Sequence, residues 1–188
     1  MIVSIGKPLL STGFLLFAWK MGAWETAYGR LIFAALGLSW AGDLLLIPKS
    51  SKWFLAGLAS FFFAHLLFCA AFAVRGVSFA LYDFRVGLPV LATGLAGRWI
   101  LPHVERKTTL MKIPVIAYMA AITVMTILAL GAAKNSGNPW IGVGAVLFYV
   151  SDLFVARDRF VSAGWINRAW GLPLYYAAQF VLASTVSR

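Results

Sequence analysis

Leu38-Ser39-Trp40-Ala41-Gly42-Asp43-Leu44-Leu45-Leu46-Ile47 sets a single carboxylic acid inside an apolar run. An acid within a segment long enough to cross a membrane costs several kcal/mol unless it is paired, hydrated or protonated. Such residues face the interior of a helix bundle and mark functional paths. The pattern returns at Leu147-Phe148-Tyr149-Val150-Ser151-Asp152-Leu153-Phe154-Val155-Ala156, with Asp152 in the place of Asp43. The chain around both stretches is 188 residues long, 62% hydrophobic and 12% charged. Soluble domains are roughly 45 to 50% apolar. An all-α, polytopic integral membrane bundle is therefore expected, folded as one transmembrane domain over residues 1–188.

At about 20 residues per crossing, seven spans account for nearly the whole sequence: 2–19, 27–47, 53–74, 84–101, 113–131, 139–156 and 169–186. Short connections carry the helix breakers: Pro48 to Lys52, Arg75 and Gly76, Pro102 to Lys112, Asn135 to Pro139, and Arg157 to Arg168. Connections this short make successive helices antiparallel neighbours. Lys7 interrupts the first span and Pro8 suits a first helical turn. With no small-residue cleavage site after it, this segment reads as an uncleaved helix.

The formal net charge is +10. Its basic residues stand singly or in pairs between apolar runs, which fits loops facing anionic lipid and gives no stripe for nucleic acid. Seven crossings place Lys7, Lys49, Lys52, Arg98, Arg106, Lys107, Lys112, Arg157, Arg159 and Arg168 on the side of the N-terminus. Lys20, Arg30, Arg75, Arg85, Lys134 and Arg188 fall on the other. This bias predicts a cytoplasmic N-terminus and an outside C-terminus in a bacterial inner (plasma) membrane. Trp19, Trp24, Trp53, Trp99, Trp140, Trp165 and Trp170 lie near proposed span ends, as an aromatic belt does.

On this topology both aspartates lie about four residues before the ends of their spans, roughly 6 to 8 Å below the same surface. Each is followed, through a basic loop, by a span with polar residues part-way down: His65 at about 18 Å in one, and Tyr175, Tyr176 and Gln179 in the other, Gln179 at about 15 Å. The arrangement predicts a funnel, polar at its cytoplasmic end and apolar below. The two acid segments also run in the same orientation, as a parallel internal repeat would. Small neighbours Ser39 and Gly42 let a helix or a substrate approach Asp43 closely. If the two carboxyls converge, one general acid and one general base result. The alternatives are structural: Asp43 bonded to Lys7 or Arg168, Asp152 paired with Arg157 or Arg159, and His65, Tyr176 and Gln179 serving helix packing. The lone Cys69 reads as a small packing residue. Two histidines and one cysteine do not make a metal site, and no phosphate-cradling loop, nucleophile elbow or heme signature occurs. Neither a metal nor a cofactor is expected.

Lys7-Pro8, Gly42-Asp43-Leu44-Leu45 and Phe63-Ala64-His65-Leu66-Leu67-Phe68 resemble the YhhN family. So do Gly144-Ala145, Phe148, Ser151-Asp152-Leu153, Arg159-Phe160 and Tyr175-Tyr176-Ala177-Ala178-Gln179, in matching order over nearly the whole chain. That family includes membrane hydrolases that cleave the vinyl ether bond of lysoplasmalogens to a fatty aldehyde and a glycerophospho-base. The resemblance implies a lysophospholipid substrate held in the bilayer, with Asp43, Asp152 and His65 in catalysis. It implies Lys7, Ser39, Tyr176 and Gln179 in substrate binding, Lys7 taking the phosphate. Family members usually show eight spans, and this chain begins where the second would. The groove normally closed by the first helix is then open, or closed by a second copy in a homo-oligomer. Two other activities fit the same residues: a proton-coupled transporter or binding protein for a small molecule or lipid, and a hydrolase of a different lysolipid.

Overall fold

A computed structural model describes residues 2–48, 50–79, 83–107 and 109–187, with side chains 2–5, 105–107 and 109 also left undescribed. Seven α-helices make up most of it: α1 (Ile2–Lys20), α2 (Ala27–Leu45), α3 (Ser51–Arg75), α4 (Phe84–Lys107), α5 (Lys112–Ser136), α6 (Pro139–Ala156) and α7 (Trp165–Ala183). A 3-10 turn, Thr109–Met111, leads into α5, and a π-helical turn, Arg157–Val161, follows α6. Among the described residues, three stretches are long and apolar enough to cross a membrane by length and composition: Ser51–Arg75, Lys112–Ser136 and Pro139–Val161.

The helix ends follow local chemistry. Thr26 caps α2 by accepting from the Gly29 amide, Ser50 caps α3 through the Trp53 amide, and Asn138 caps α6 through the Trp140 amide. A side-chain oxygen there satisfies an amide that has no partner within the helix. Gly76 and Gly137 end α3 and α5 at φ of 84° and 67°, conformations that side chains with a Cβ rarely adopt. Three expected limits shift. Helix α4 continues through Pro102 to Lys107, α5 reaches Ser136, and α7 starts at Trp165. Proline inside a membrane helix is tolerated where neighbouring groups take up the freed carbonyl, and α1, α4 and α7 contain Pro8, Pro89 and Pro102, and Pro173.

Six helices close a ring in the order α1, α2, α3, α5, α6, α7, and α7 returns to α1. Hairpins α2–α3 and α6–α7 are its most intimate pairs. Helix α4 lies outside the ring, against α5 and the π-helical turn. Phe14, Ile32, Leu36, Phe68, Phe72, Met125, Phe148 and Leu182 fill the ring without solvent exposure. A smaller cluster of Ile100, Val104, Val115 and Phe160 seals α4 to the rest. Close approach of the helices rests on small residues: a Cβ on Gly42 would stand 2.6 Å from the Phe61 ring, and one on Gly144 2.7 Å from Leu182.

Large apolar side chains cover the outside, among them Leu9, Leu16, Phe63, Leu88, Leu91, Leu95 and Ile113. Water would not tolerate such a continuous surface, but hydrocarbon does. The chain is an integral membrane protein. At one end of the ring lie Lys7, Arg159 and Arg168. At the other, Arg75 stacks on Tyr28, and Asp83 pairs with Arg85 and Lys134. Lys49 and Arg188, placed on opposite sides by sequence, are outside the described residues, as are the side chains of Arg106 and Lys107.

Candidate active site

A cavity of about 750 Å³ opens at the Lys7 end, and both Asp43 and Asp152 line it. Asp43 comes from the last turn of α2. Its Oδ2 accepts from the Ser11 hydroxyl of α1 at 2.5 Å and from the Tyr175 hydroxyl of α7 at 2.8 Å. Three helices thus meet at one carboxylate oxygen, leaving Oδ1 without either donor.

Asp152 comes from the last turns of α6. Its Oδ2 accepts from the Tyr118 hydroxyl of α5 at 2.5 Å, and His65 Nε2 of α3 stands 3.9 Å from the same oxygen. The Ser151 hydroxyl is 3.5 Å from Oδ1. His65 is fully buried between the Tyr118 and Phe148 rings, at centroid distances of 5.0 and 4.9 Å. Its Nδ1 lies 2.5 Å from the Phe61 carbonyl. A carbonyl only accepts, so Nδ1 carries the hydrogen. On a neutral ring Nε2 is then a lone pair directed toward Asp152, and it has no partner within hydrogen-bond length among the described residues.

Phe148 also contacts Tyr175, at 5.5 Å between centroids. It thereby touches a member of each acid cluster, His65 beside Asp152 and Tyr175 beside Asp43. Farther in, Thr93 of α4 bonds to Thr123 of α5 and to the Tyr149 hydroxyl of α6, at 2.5 and 2.9 Å. Phe54, Leu58, Ile100, Val115 and Ile122 make much of the remaining wall apolar.

Other residues selected from the sequence fall in different places. Lys7 lines the cavity mouth. Tyr176 points its hydroxyl at the Lys7 carbonyl, 3.4 Å away, and is nearly buried. Ser39 is buried, bonds to the Ala35 carbonyl of its own helix and does not line the cavity. Gln179 is fully buried, one helical turn beyond Tyr175, and neither amide atom has a hydrogen-bond partner among the described residues. Ser11 and Tyr118, which hold the two acids, were not singled out in the sequence. Tyr118 carried the same signal as Tyr175, a hydroxyl within an apolar span. Ser11 carried less, since a serine in a membrane helix satisfies itself on its own backbone. No three His, Cys, Asp or Glu side chains among the described residues come together as a metal site.

Two acids from different helices, each held by a tyrosine and facing one cavity, define a polytopic membrane protein with a buried acid pair. The chain belongs to the YhhN family, whose model it matches over residues 3–186. It is 33% identical to lysoplasmalogenase TMEM86A of Bos taurus over 159 residues, 81% of this chain and 63% of that protein. It is 35% identical to a lysoplasmalogenase of Mycobacterium tuberculosis, over 81% of this chain and 58% of that protein. With lysoplasmalogenase TMEM86B of Rattus norvegicus it shares 34% identity over 186 residues, 97% of this chain and 71% of that one. The chain thus spans less than two thirds of the length of the first two relatives. No solved structure matches it significantly.

Proposed function

We propose that this protein hydrolyses the vinyl ether bond of lysoplasmalogens, releasing a fatty aldehyde and a glycerophospho-base. The observation that carries the proposal is the convergence of Asp43 and Asp152 on one cavity with a cationic mouth and largely apolar walls. Relatives named lysoplasmalogenase supply the substrate class.

The two acids divide the work by what surrounds them. Asp43 accepts two hydroxyl donors on one oxygen, an arrangement suited to a carboxylate. The His65 lone pair faces Asp152 across 3.9 Å, an arrangement suited to the protonated acid, and Asp152, on the cavity side, gives that proton away. Burial alone would choose the reverse, since Asp43 is 3% exposed and the Asp152 side chain 17%. Both acids accept hydroxyl donors, and what separates them is the His65 lone pair, which disfavours a charged carboxylate beside it at Asp152 and has no counterpart at Asp43.

Asp152 protonates the outer alkene carbon, and the positive charge moves to the carbon bonded to oxygen. The Asp43 carboxylate stabilises that oxocarbenium ion and takes a proton from the water that adds to it, leaving a hemiacetal. The hemiacetal hydroxyl returns its proton to Asp152 as the carbon–oxygen bond breaks. Asp43 hands its proton to the departing glycerol oxygen. Both acids finish as they began, and one water has been consumed.

Tyr118 and Tyr175 orient the carboxyls, Lys7 meets the headgroup, and Tyr176 and Gln179 support the wall behind Asp43. Ser39 contributes helix packing beside it. The chain forms one domain with seven crossings, its N-terminus and cavity mouth facing the cytoplasm of a bacterial inner membrane.

The test is aldehyde release from a synthetic lysoplasmalogen by the detergent-purified protein, in H2O and in D2O. Cleavage by this route places one deuterium on the carbon next to the aldehyde. Absence of aldehyde from a folded preparation overturns the reading.

A further inference from the structure

Three cations line the cavity mouth, and the spacing ties each one to an acid cluster. Lys7 and Ser11 are four residues apart on α1, and Ser11 donates to Asp43. Arg168 and Tyr175 are seven apart on α7, and Tyr175 donates to the same oxygen. Arg159 follows Asp152 by seven residues, across the end of α6 and the π-helical turn. On α1 and α7, separations of four and seven return to one face of an α-helix, while Arg159 is placed at the mouth by the cavity lining itself. At 1.5 Å per residue they put the cations about 6 to 10 Å above the groups that handle the acids. Helices α1 and α7 run inward from the mouth and α6 runs toward it, so Lys7 and Arg168 precede, and Arg159 follows, the groups that lie deeper.

These positions are held. Asn167, 2% exposed, accepts from Arg157 and donates to Asp158 and to the Ser162 carbonyl, which locks the turn between α6 and α7. Asp158 Oδ1 also accepts from the Gly164 amide, and its Oδ2 lies 3.7 Å from Arg168 Nε. The one acid of this turn is thus engaged by the turn through Oδ1 and faces Arg168 with Oδ2. Arg159 lies over the Phe54 ring at 4.2 Å, and the Arg168 side chain is 62% exposed.

We infer that Lys7, Arg159 and Arg168 form a phosphodiester site that holds a lysophospholipid by its headgroup and sets its glycerol between the cations and the acids. The inference rests on the proposed hydrolysis for the identity of the lipid, and on the mouth geometry for the phosphate. A glycerol unit separates the phosphate from the first-carbon ether, the same order in which cations and acids occur down the cavity. Arginine suits the task because its planar fork grips two phosphate oxygens at once. Specificity follows: the site selects ether lipids bearing a phosphate over alkenylglycerols of the same chain.

Binding tests this without turnover. A saturated 1-O-alkyl-glycerophosphoethanolamine, which cannot be cleaved by this chemistry, and the corresponding 1-O-alkylglycerol are titrated into detergent-solubilised protein and followed by tryptophan fluorescence. The phosphate-bearing lipid is expected to bind at least about tenfold tighter, the equivalent of ~1.4 kcal/mol. Arg159→Gln and Arg168→Gln each remove about that preference, whereas Arg159→Lys and Arg168→Lys keep part of it because the charge remains. Equal affinity of the wild type for the two lipids overturns the inference. So does a substitution that weakens both lipids alike, or a lysine variant no different from the wild type. Inorganic phosphate and glycerophosphoethanolamine serve as chain-free competitors, and either one binding as tightly as the lipid assigns the cations to free anions and overturns the headgroup site. A preference for the phosphate-bearing lipid with no aldehyde from lysoplasmalogen refutes the hydrolase and leaves the phosphate site standing.

Discussion

Asp43 and Asp152 differ in the hydrogen-bonding they receive, and that difference is measurable one residue at a time. Asp43→Asn and Asp152→Asn keep the shape of the side chain but can neither ionise nor deliver a proton. Each is expected to lower kcat by about 10² to 10⁴-fold, the usual scale for general acid–base catalysis, with elution profile and helical content unchanged. Wild-type activity in either variant removes that acid from the reaction. Tyr175→Phe takes one of two hydroxyl donors from Asp43, and Tyr118→Phe takes the hydroxyl donor from Asp152 Oδ2. A hydrogen bond to a charged group contributes about 1.5 to 3 kcal/mol, so a loss of roughly tenfold to a hundredfold in kcat/KM is expected for each. Equal activity of both phenylalanine variants and wild type would reduce the tyrosines to packing. On the proposed mechanism, His65→Ala removes the imidazole that stands 3.9 Å from the donating acid Asp152, and a partial fall in kcat is expected. Steady-state kinetics across pH should be bell-shaped in the wild type and lose its definition in this variant.

At the scale of elements, the site depends on how closely the helices approach. Gly29 lies in the first turn of α2, where a Cβ would meet the Ala23 carbonyl oxygen at 2.5 Å and the Val186 carbonyl oxygen at 3.0 Å. Both are backbone atoms, so the loop before α2 or the C-terminal turn has to move. Gly29→Ala is expected to cost ~1 to 3 kcal/mol, as overpacking does, read as a lower midpoint of thermal unfolding in detergent. Gly37→Ala is the control on the same helix, because no atom lies within 4 Å of its Cβ. There the gain in helix propensity dominates and the midpoint holds or rises. Helix α4 shows the opposite economy. It stands outside the ring, and the Thr93, Thr123 and Tyr149 hydroxyls join it to α5 and α6 where apolar contact is thin. Hydroxyl bonds between helices in hydrocarbon substitute for a hydrophobic drive that lipid does not supply.

For the whole molecule, the proposed orientation has a direct readout. With Cys69 replaced by alanine, Lys52→Cys places an exposed thiol next to the start of α3 at the cavity end, and Lys20→Cys one at the far end of α1. A membrane-impermeant maleimide added to intact cells should label Lys20→Cys and reach Lys52→Cys only after the membrane is broken. The reverse pattern inverts the protein and puts the cavity mouth outside. The seven-crossing topology fails if both thiols label from the same side.

Hydropathy and helix punctuation are local properties, so the sequence by itself determined the membrane class, the seven helical segments and their ends to within a few residues. It also determined that two acids sit one or two turns from the ends of their helices, since that needs only rise per residue. The YhhN resemblance was legible in short motifs for the same reason, and the match over residues 3–186 bears it out. What the sequence did not disclose is which residues face one another. Helices that are apolar nearly all round carry no stripe from which rotation about the axis can be read. Tertiary structure decided that α7 closes the ring against α1, which brings Ser11 and Tyr175 to one oxygen of Asp43. It decided that α5 supplies Tyr118 to Asp152, and that His65 stands beyond hydrogen-bond length from it. It also turned Ser39 onto its own helix, although its spacing from Asp43 suggested the cavity. The physical reason is common to all of these: partners are set by the rotation of each helix, and that rotation is fixed by interhelical packing at small residues such as Gly42 and Gly144.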